Sequence, residues 1–185
     1  MTRRIAALAV MLTGVVVALV YLQSPQTPDF IQRLRYPLEY KAIVRGHARN
    51  YDLDPALLAA VIYQESKFDA HAKSKSGAIG LMQLLPSTAE GIAIHTGGTG
   101  FRTDDLWNPE INVRYGAFYL RRLLNKYGQE RTALAAYNAG QDNVDRWRAA
   151  GKGIAFAETR AYVVRVEKLK RIYREAWGPD LGYRR

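Results

Sequence analysis

Residues 5–22, "IAALAVMLTGVVVALVYL", form a run with almost no polar position, and this is the strongest pattern along the chain. It is too apolar for a surface helix. At about 1.5 Å per residue it reaches across most of a hydrocarbon core of about 30 Å. Arg3 and Arg4 precede it and would stay on the cytoplasmic side, so the rest of the chain is expected outside. No clean small-x-small cleavage site precedes "YLQSPQTP". An uncleaved signal-anchor is therefore expected over a removed signal peptide. A short Pro-rich polar stretch, "QSPQTPD", follows as linker.

From residue 36 the apolar positions recur with helical spacing, and no convincing alternating run appears. "PLEYKAIVRGHARNY" sets Leu38, Ile43 and Val44 on one face, with Tyr40 and His47 beside it. "DPALLAAVIYQES" opens with Asp54 as N-cap and Pro55 in the first turn. "PSTAEGIAI" reads as a short helix opened by Ser87 or Thr88. "NPEINVRYGAFYLRRLLNKYG" has Asn108 as cap and Gly128 as stop. "ERTALAAYNAG" and "DNVDRWRAAG" are short helices, and "ETRAYVVRVEKLKRIYREAWG" is the last long one. The expected fold class is all-α, with room for a small β-hairpin in "HTGGTGFRTDD". The expected organisation is an anchor at 1–22, a linker at 23–35, one helical domain at 36–178 and a tail at 179–185. There is no internal repeat.

Composition narrows the chemistry. With 185 residues and 48% hydrophobic content, the chain can fill one core. It has no cysteine, which excludes disulfides, thiolate metal sites and cysteine nucleophiles. A net charge of +10 favours an anionic partner: nucleic acid, acidic lipid or an acidic wall polymer. Expected export weakens the nucleic-acid option. His47, His71 and His95 lack metal-ligand spacing, and "GGTG" lacks the Gly-Lys-Ser/Thr ending of a phosphate loop. No metal or cofactor is expected. "KLKRIYRE" reads as a solvated basic face that can also attract an anionic polymer or headgroup.

The candidate chemistry starts at Glu65. It ends an apolar helix, where the helix dipole disfavours a carboxylate. Apolar surroundings act in the same direction, so both raise the pKa and favour a group that can donate a proton near neutrality. A glutamate at a helix end is usually only an exposed surface residue, so the assignment depends on its neighbours. These are "ES" at Glu65 and Ser66, "SGAIGLMQ" at 76–83, "LPSTA" at 85–89, "AYNAG" at 136–140 and "ETRAYV" at 158–163. "LWNPEINVRYGAFYL", at 106–120, stands between "LPSTA" and "AYNAG". Together and in this order, they resemble the lytic transglycosylases with a soluble-lytic-transglycosylase (SLT) catalytic domain, relatives of goose-type lysozyme. The resemblance covers about residues 36–177.

That resemblance implies a lysozyme-like α-domain. It also implies non-hydrolytic cleavage of the β-1,4 bond between N-acetylmuramic acid and N-acetylglucosamine in peptidoglycan, leaving a 1,6-anhydromuramoyl end. One carboxylate serves as acid and then base, and here it is Glu65. The substrate-binding set it implies is Ser74, with Ser76 competing, Met82 along the cleft, Gln83, Tyr137 and Tyr162. Ser66, Gly77, Gly80, Asn138 and Glu158 are implied as structural cleft residues, with Glu158 buried and hydrogen-bonded. Tyr137 is expected to orient Glu65 or the substrate's N-acetyl group. The expected partners are peptidoglycan glycan strands and, through the N-terminal helix, the membrane; the chain is expected to be monomeric. The alternatives are a hydrolytic muramidase of the same fold and a catalytically idle wall-binding scaffold.

Overall fold

The computed structural model describes residues 28–96 and 100–183, with the isolated positions 11 and 13. The expected anchor therefore lies outside the described residues except at those two positions. No described helix is long and apolar enough to cross a membrane. The chain divides into two units, Met1–Pro37 and Leu38–Arg185. In the first, α1 spans Asp29–Arg35 and buries no residue. It occupies positions expected to be linker. Asp29 in its first turn and Arg33 and Arg35 in its last match the helix dipole, which favours a helix without a core contact.

The second unit is built around α3, Pro55–Ser66, whose residues from Ala56 to Ile62 are all buried. A helix apolar on every side belongs at the centre of a domain. Leu57, Leu58, Val61 and Ile62 are at most 2% exposed. Each contributes roughly 1.5–3 kcal/mol of burial free energy. Asp54 caps the helix by accepting from Ala56 N–H at 2.9 Å and Leu57 N–H at 3.4 Å. Lys67 ends it in the left-handed conformation, φ 53°, donating its N–H to Tyr63 O.

Two helices pack directly on α3. The preceding α2, Lys41–Asn50, turns Val44, His47 and Ala48 inward. The last helix, α8, Ala157–Leu181, lays Tyr162, Val163, Val166, Leu169 and Tyr173 along α3. Against α8 packs α6, Glu130–Ala139, with Ala133–Ala136 buried. The long α5, Pro109–Tyr127, packs on α2 and α6. Asn108 caps it, accepting from Glu110 N–H at 2.9 Å and Ile111 N–H at 3.3 Å. Gly128 at φ 68° ends it. The short α7, Gln141–Ala149, follows α6 across Gly140.

A second, smaller core lies under α4, Pro86–His95, and a 3-10 helix, Thr103–Trp107. It gathers Ile79, Leu84, Ile92, Leu106 and Tyr115. Here α4 opens one residue earlier than expected. Leu85 is its extended N-cap and Pro86 its first residue, because proline's fixed φ suits a first turn without a side-chain cap. "HTGGTGFRTDD" forms no strand among its described residues. The β-like pairing found among the described residues lies instead at residues 73–84, the glycine segment around "SGAIGLMQ", as the isolated bridges Lys73 with Ile79 and Ile79 with Leu84.

The chain end also departs from expectation. Position 178 is not a boundary, because α8 runs through Pro179 to Leu181, which is 3% exposed. Gly182 at φ 91° then turns the chain back. Tyr183 donates its hydroxyl to Asp54 and accepts from Ala56 N–H at 3.3 Å.

Candidate active site

Glu65 stands in the last turn of α3, half-buried, and Tyr162 of α8 donates its hydroxyl to Glu65 Oε1 at 2.6 Å. Burial pushes the Glu65 carboxyl up to about 7, and the Tyr162 hydrogen bond works against that rise. Near neutral pH the group is therefore divided between its acid and its anion. Tyr162 is pushed well above the ordinary tyrosine range, by burial first and by the nearby Glu65 charge second. Its proton stays in place, so it donates to Glu65 in either state.

The carboxyl opens into a cavity of about 430 Å³. Glu65 and Glu158 come from α3 and α8, and Ser74, Ser76 and Gln83 from the glycine segment. Tyr119 of α5 and the residues from Tyr137 to Gly140 complete the wall around Leu85 and Thr88. The polar turn after α3 therefore shares a cavity with Glu65. It is shaped by backbone in the left-handed region at Lys67, Phe68, Gly77, Gly80 and Gln83.

Each expected site residue has a definite place. Ser74 and Ser76 both line the cavity, and their hydroxyls lie 2.9 Å apart. Ser74 Oγ also accepts from Ala78 N–H at 2.9 Å, which closes the turn on which Gly77 sits at φ 84°. Gln83 lines the cavity while its Nε2 donates to Ala72 O at 3.0 Å and Gly80 O at 2.9 Å. That holds its amide in one orientation. Ser66 lies behind the wall, donating to Leu81 O at 2.8 Å and Ile62 O at 3.2 Å. Asn138 accepts from Thr159 Oγ1 at 2.8 Å and joins the end of α6 to the start of α8.

Three expectations need correction. Met82 does not line the cavity. Its side chain is fully buried, and a Cβ built on Gly116 would meet its Sδ at 2.3 Å. Glycine at that point of α5 makes room for the thioether, which acts as core packing. Glu158 is exposed, in the first turn of α8, where the helix N-terminus tolerates an anion in solvent. Tyr137 does not hold Glu65; it donates to Met82 O at 2.8 Å and packs against Tyr119. The residue oriented on the acid is Tyr162.

Two contributors are absent from the expected set. Tyr119 lines the cavity beside Tyr137, with ring centroids 5.6 Å apart. Asn112 is fully buried in α5 and holds the glycine segment from behind. It accepts from Met82 N–H at 2.8 Å and donates to Ile79 O and Leu106 O, both at 2.9 Å. Gly80 passes so close that a Cβ there would meet Asn112 Nδ2 at 2.4 Å. A lone amide on an apolar helical stripe with Val113, Gly116 and Leu120 is the sequence signal for it. Among the described residues no cluster of His, Asp and Glu could hold a metal ion.

Fold and site together define a helical domain with a half-buried carboxyl group, held by a tyrosine, at the wall of an open polar cleft. Residues 42–158 match the family described as Transglycosylase SLT domain, and the chain belongs to that family. The soluble lytic murein transglycosylase of Salmonella typhimurium is 34% identical over 156 residues, 78% of this chain and 24% of that protein. Membrane-bound lytic murein transglycosylase F of Yersinia pestis is 39% identical over 108 residues, 55% of this chain and 20% of that one. Among solved structures, the 70 kDa soluble lytic transglycosylase of Escherichia coli superposes with a TM-score of 0.74 at 31% identity, covering 84% of this chain and 28% of its own. An inactive mutant of lytic transglycosylase Slt from Pseudomonas aeruginosa gives 0.72 at 33%, covering 79% and 25%. The 70 kDa enzyme in complex with bulgecin A is similar too, the TM-score again 0.74. The chain thus spans about a quarter of the length of the soluble curated relatives it matches.

Proposed function

We propose that this chain is a membrane-anchored peptidoglycan lytic transglycosylase, with its helical domain on the extracytoplasmic side and its N-terminal apolar run as anchor. The observation that carries the proposal is the Glu65 carboxyl. It sits in a sugar-sized polar cleft, is raised to about 7, and is held at 2.6 Å by a tyrosine that keeps its own proton. Such a group can both give and take a proton near neutrality.

The reaction is cleavage of the β-1,4 bond between N-acetylmuramic acid and N-acetylglucosamine. Protonated Glu65 gives its proton to the leaving glycosidic oxygen as the bond to the anomeric carbon breaks. The substrate's own N-acetyl oxygen supports the cationic carbon from the other face. Glu65, now a carboxylate, takes the proton of the muramic 6-hydroxyl, whose oxygen closes on the anomeric carbon. The product carries a 1,6-anhydro ring, water is not consumed, and Glu65 ends protonated as it began. Tyr162 keeps the carboxyl in one orientation through both proton transfers. Ser74, with Ser76 beside it, Gln83 and Tyr137 present hydrogen-bonding groups to sugar along the wall. Asn138, Gly77 and Gly80 shape that wall.

Mass spectrometry of products released from purified sacculi tests the reading. Anhydro ends, lighter by one water than reducing ends, are the expected result, and Glu65→Gln should abolish release while keeping wall binding. Reducing ends would favour the hydrolytic reading instead, for which the exposed carboxylate of Glu158 on the same cavity is the supporting observation. A working muramidase needs a base for water as well as an acid.

A further inference from the structure

Beyond the cavity's α6 and α8 walls lies an aromatic pair that the proposed reaction leaves unused. Phe156 is the N-cap residue of α8, two positions ahead of Glu158 on the cleft wall. It is 49% exposed, unusual for so large an apolar side chain in a compact domain. Trp147 of α7 meets it edge-on, with ring centroids 4.8 Å apart and planes at 84°. The loop that presents Phe156 is fixed. Arg160 donates from Nη1 to Ile154 O at 2.8 Å and Ala155 O at 2.6 Å. On its other side, α7 closes through Lys152 N–H on Trp147 O at 2.8 Å. Because Gly140, a cavity residue, is the N-cap of α7, Trp147 lies about 10 Å from the cleft along the helix axis.

We propose that Phe156, braced by Trp147, is a stacking platform for a sugar ring of the glycan strand lying next to the one in the catalytic cleft. The ligand is a pyranose, whose face of C–H groups carries partial positive charge and meets the negative face of an aromatic ring. The pair flanks a cleft already lined by hydrogen-bonding groups, with Gly140 at the head of α7 and Glu158 two positions after Phe156 both on its wall, a spacing that suits one polymer crossing both. The Trp147 edge fixes the tilt of the Phe156 ring, so little side-chain entropy is lost on binding. The platform would favour long strands over short fragments and hold the strand while the acid works. This inference rests on the proposed function only in its choice of polymer.

The test uses the full chain carrying Glu65→Gln, so that bound sugar is not consumed. Its affinity for a disaccharide and for a hexasaccharide of β-1,4-linked N-acetylglucosamine is measured by titration calorimetry. The hexasaccharide should bind more tightly. Adding Phe156→Ala should weaken the hexasaccharide about fivefold, the scale of one aromatic contact, and leave the disaccharide unchanged. Phe156→Tyr should keep the affinity. Phe156→Leu, which retains apolar bulk but no flat face, should lose it as Ala does. Equal hexasaccharide affinity in all four proteins overturns the platform, as does an equal loss for both sugars or a parent with no preference for the longer one. Failure of wild type to release anhydro products from sacculi would sink the catalytic reading alone, leaving the length preference as a separate result.

Discussion

Glu65 is one side chain with consequences for both stability and rate. Its pKa is about 7 in the folded state, against 4.5 for an unperturbed glutamate. Between those values the folded protein holds a proton that the unfolded chain has released, so stability falls as pH rises through that window. Glu65→Gln removes the effect. Urea unfolding should find the variant more stable than the parent by about 2–3 kcal/mol near pH 8, and equal to it near pH 4. A difference that does not change with pH would mean the carboxyl is solvated. Tyr162→Phe acts on the same group from outside. The lost hydrogen bond had favoured the anion, so the Glu65 pKa should rise further. The basic limb of the pH–rate profile should then move up and turnover should fall about tenfold. An unmoved or lowered limb would contradict the assignment. The proposed acid is singled out in the sequence only by the motifs around it, because a glutamate at a helix end is by itself unremarkable. Its holder is not, because the two residues are 97 positions apart and nothing local links them. Met82 misleads for a related reason: the resemblance implies a place along the cleft, and only its full burial against Gly116 shows that it is core.

Among the elements, α3 and α5 are readable from Asp54 and Asn108, each an Asx cap followed by proline and each seen capping. The glycine segment is readable as a turn but not as a clamp, since Asn112 reaches it from a helix 30 residues away. Its tightness can be measured. Gly80 has φ +77°, and an added Cβ would lie 2.4 Å from Asn112 Nδ2 and 2.6 Å from Leu106 O. Gly80→Ala should cost about 3 kcal/mol in chemical denaturation, combining strain with displacement of a buried hydrogen-bonded amide. Gly77 has φ +84°, and a Cβ added there would meet nothing within 4 Å, so Gly77→Ala should cost only about 1 kcal/mol. Similar costs at the two sites would show that Asn112 does not hold the wall in place.

Across the whole domain, the far end of α3 is tied down as firmly as the Glu65 end. Asp54 receives hydrogen bonds from Tyr183 and Arg174 and lies 3.4 Å from Lys170, which also donates to Glu130 at 2.7 Å. Burial alone would raise the Asp54 carboxyl, but the Tyr183 hydrogen bond, Lys170, Ala56 N–H and Arg174 outweigh it and hold it below the ordinary range. A depressed carboxyl adds stability above its unfolded pKa and loses it as pH falls through the folded one. Asp54→Asn keeps the cap but not the charge. It should lose on the order of 1 kcal/mol at neutral pH, modest because the cluster is partly solvated, and nothing in strong acid; a cost constant with pH would rule out charge as the cause. A reading of residues 179–185 as a tail cannot find Tyr183 in this network, since its hydroxyl reaches Asp54 only once Gly182 has turned the chain back.

The proton-bearing group and the hydroxyl that steadies it are separated by 97 positions of polypeptide. A ribosome must therefore deliver the whole stretch between them before the pair can meet. A nascent, truncated or locally unravelled chain lacks the Glu65–Tyr162 pair even though residue 65 has long been made. Latency of the proposed activity during synthesis would follow from topology alone.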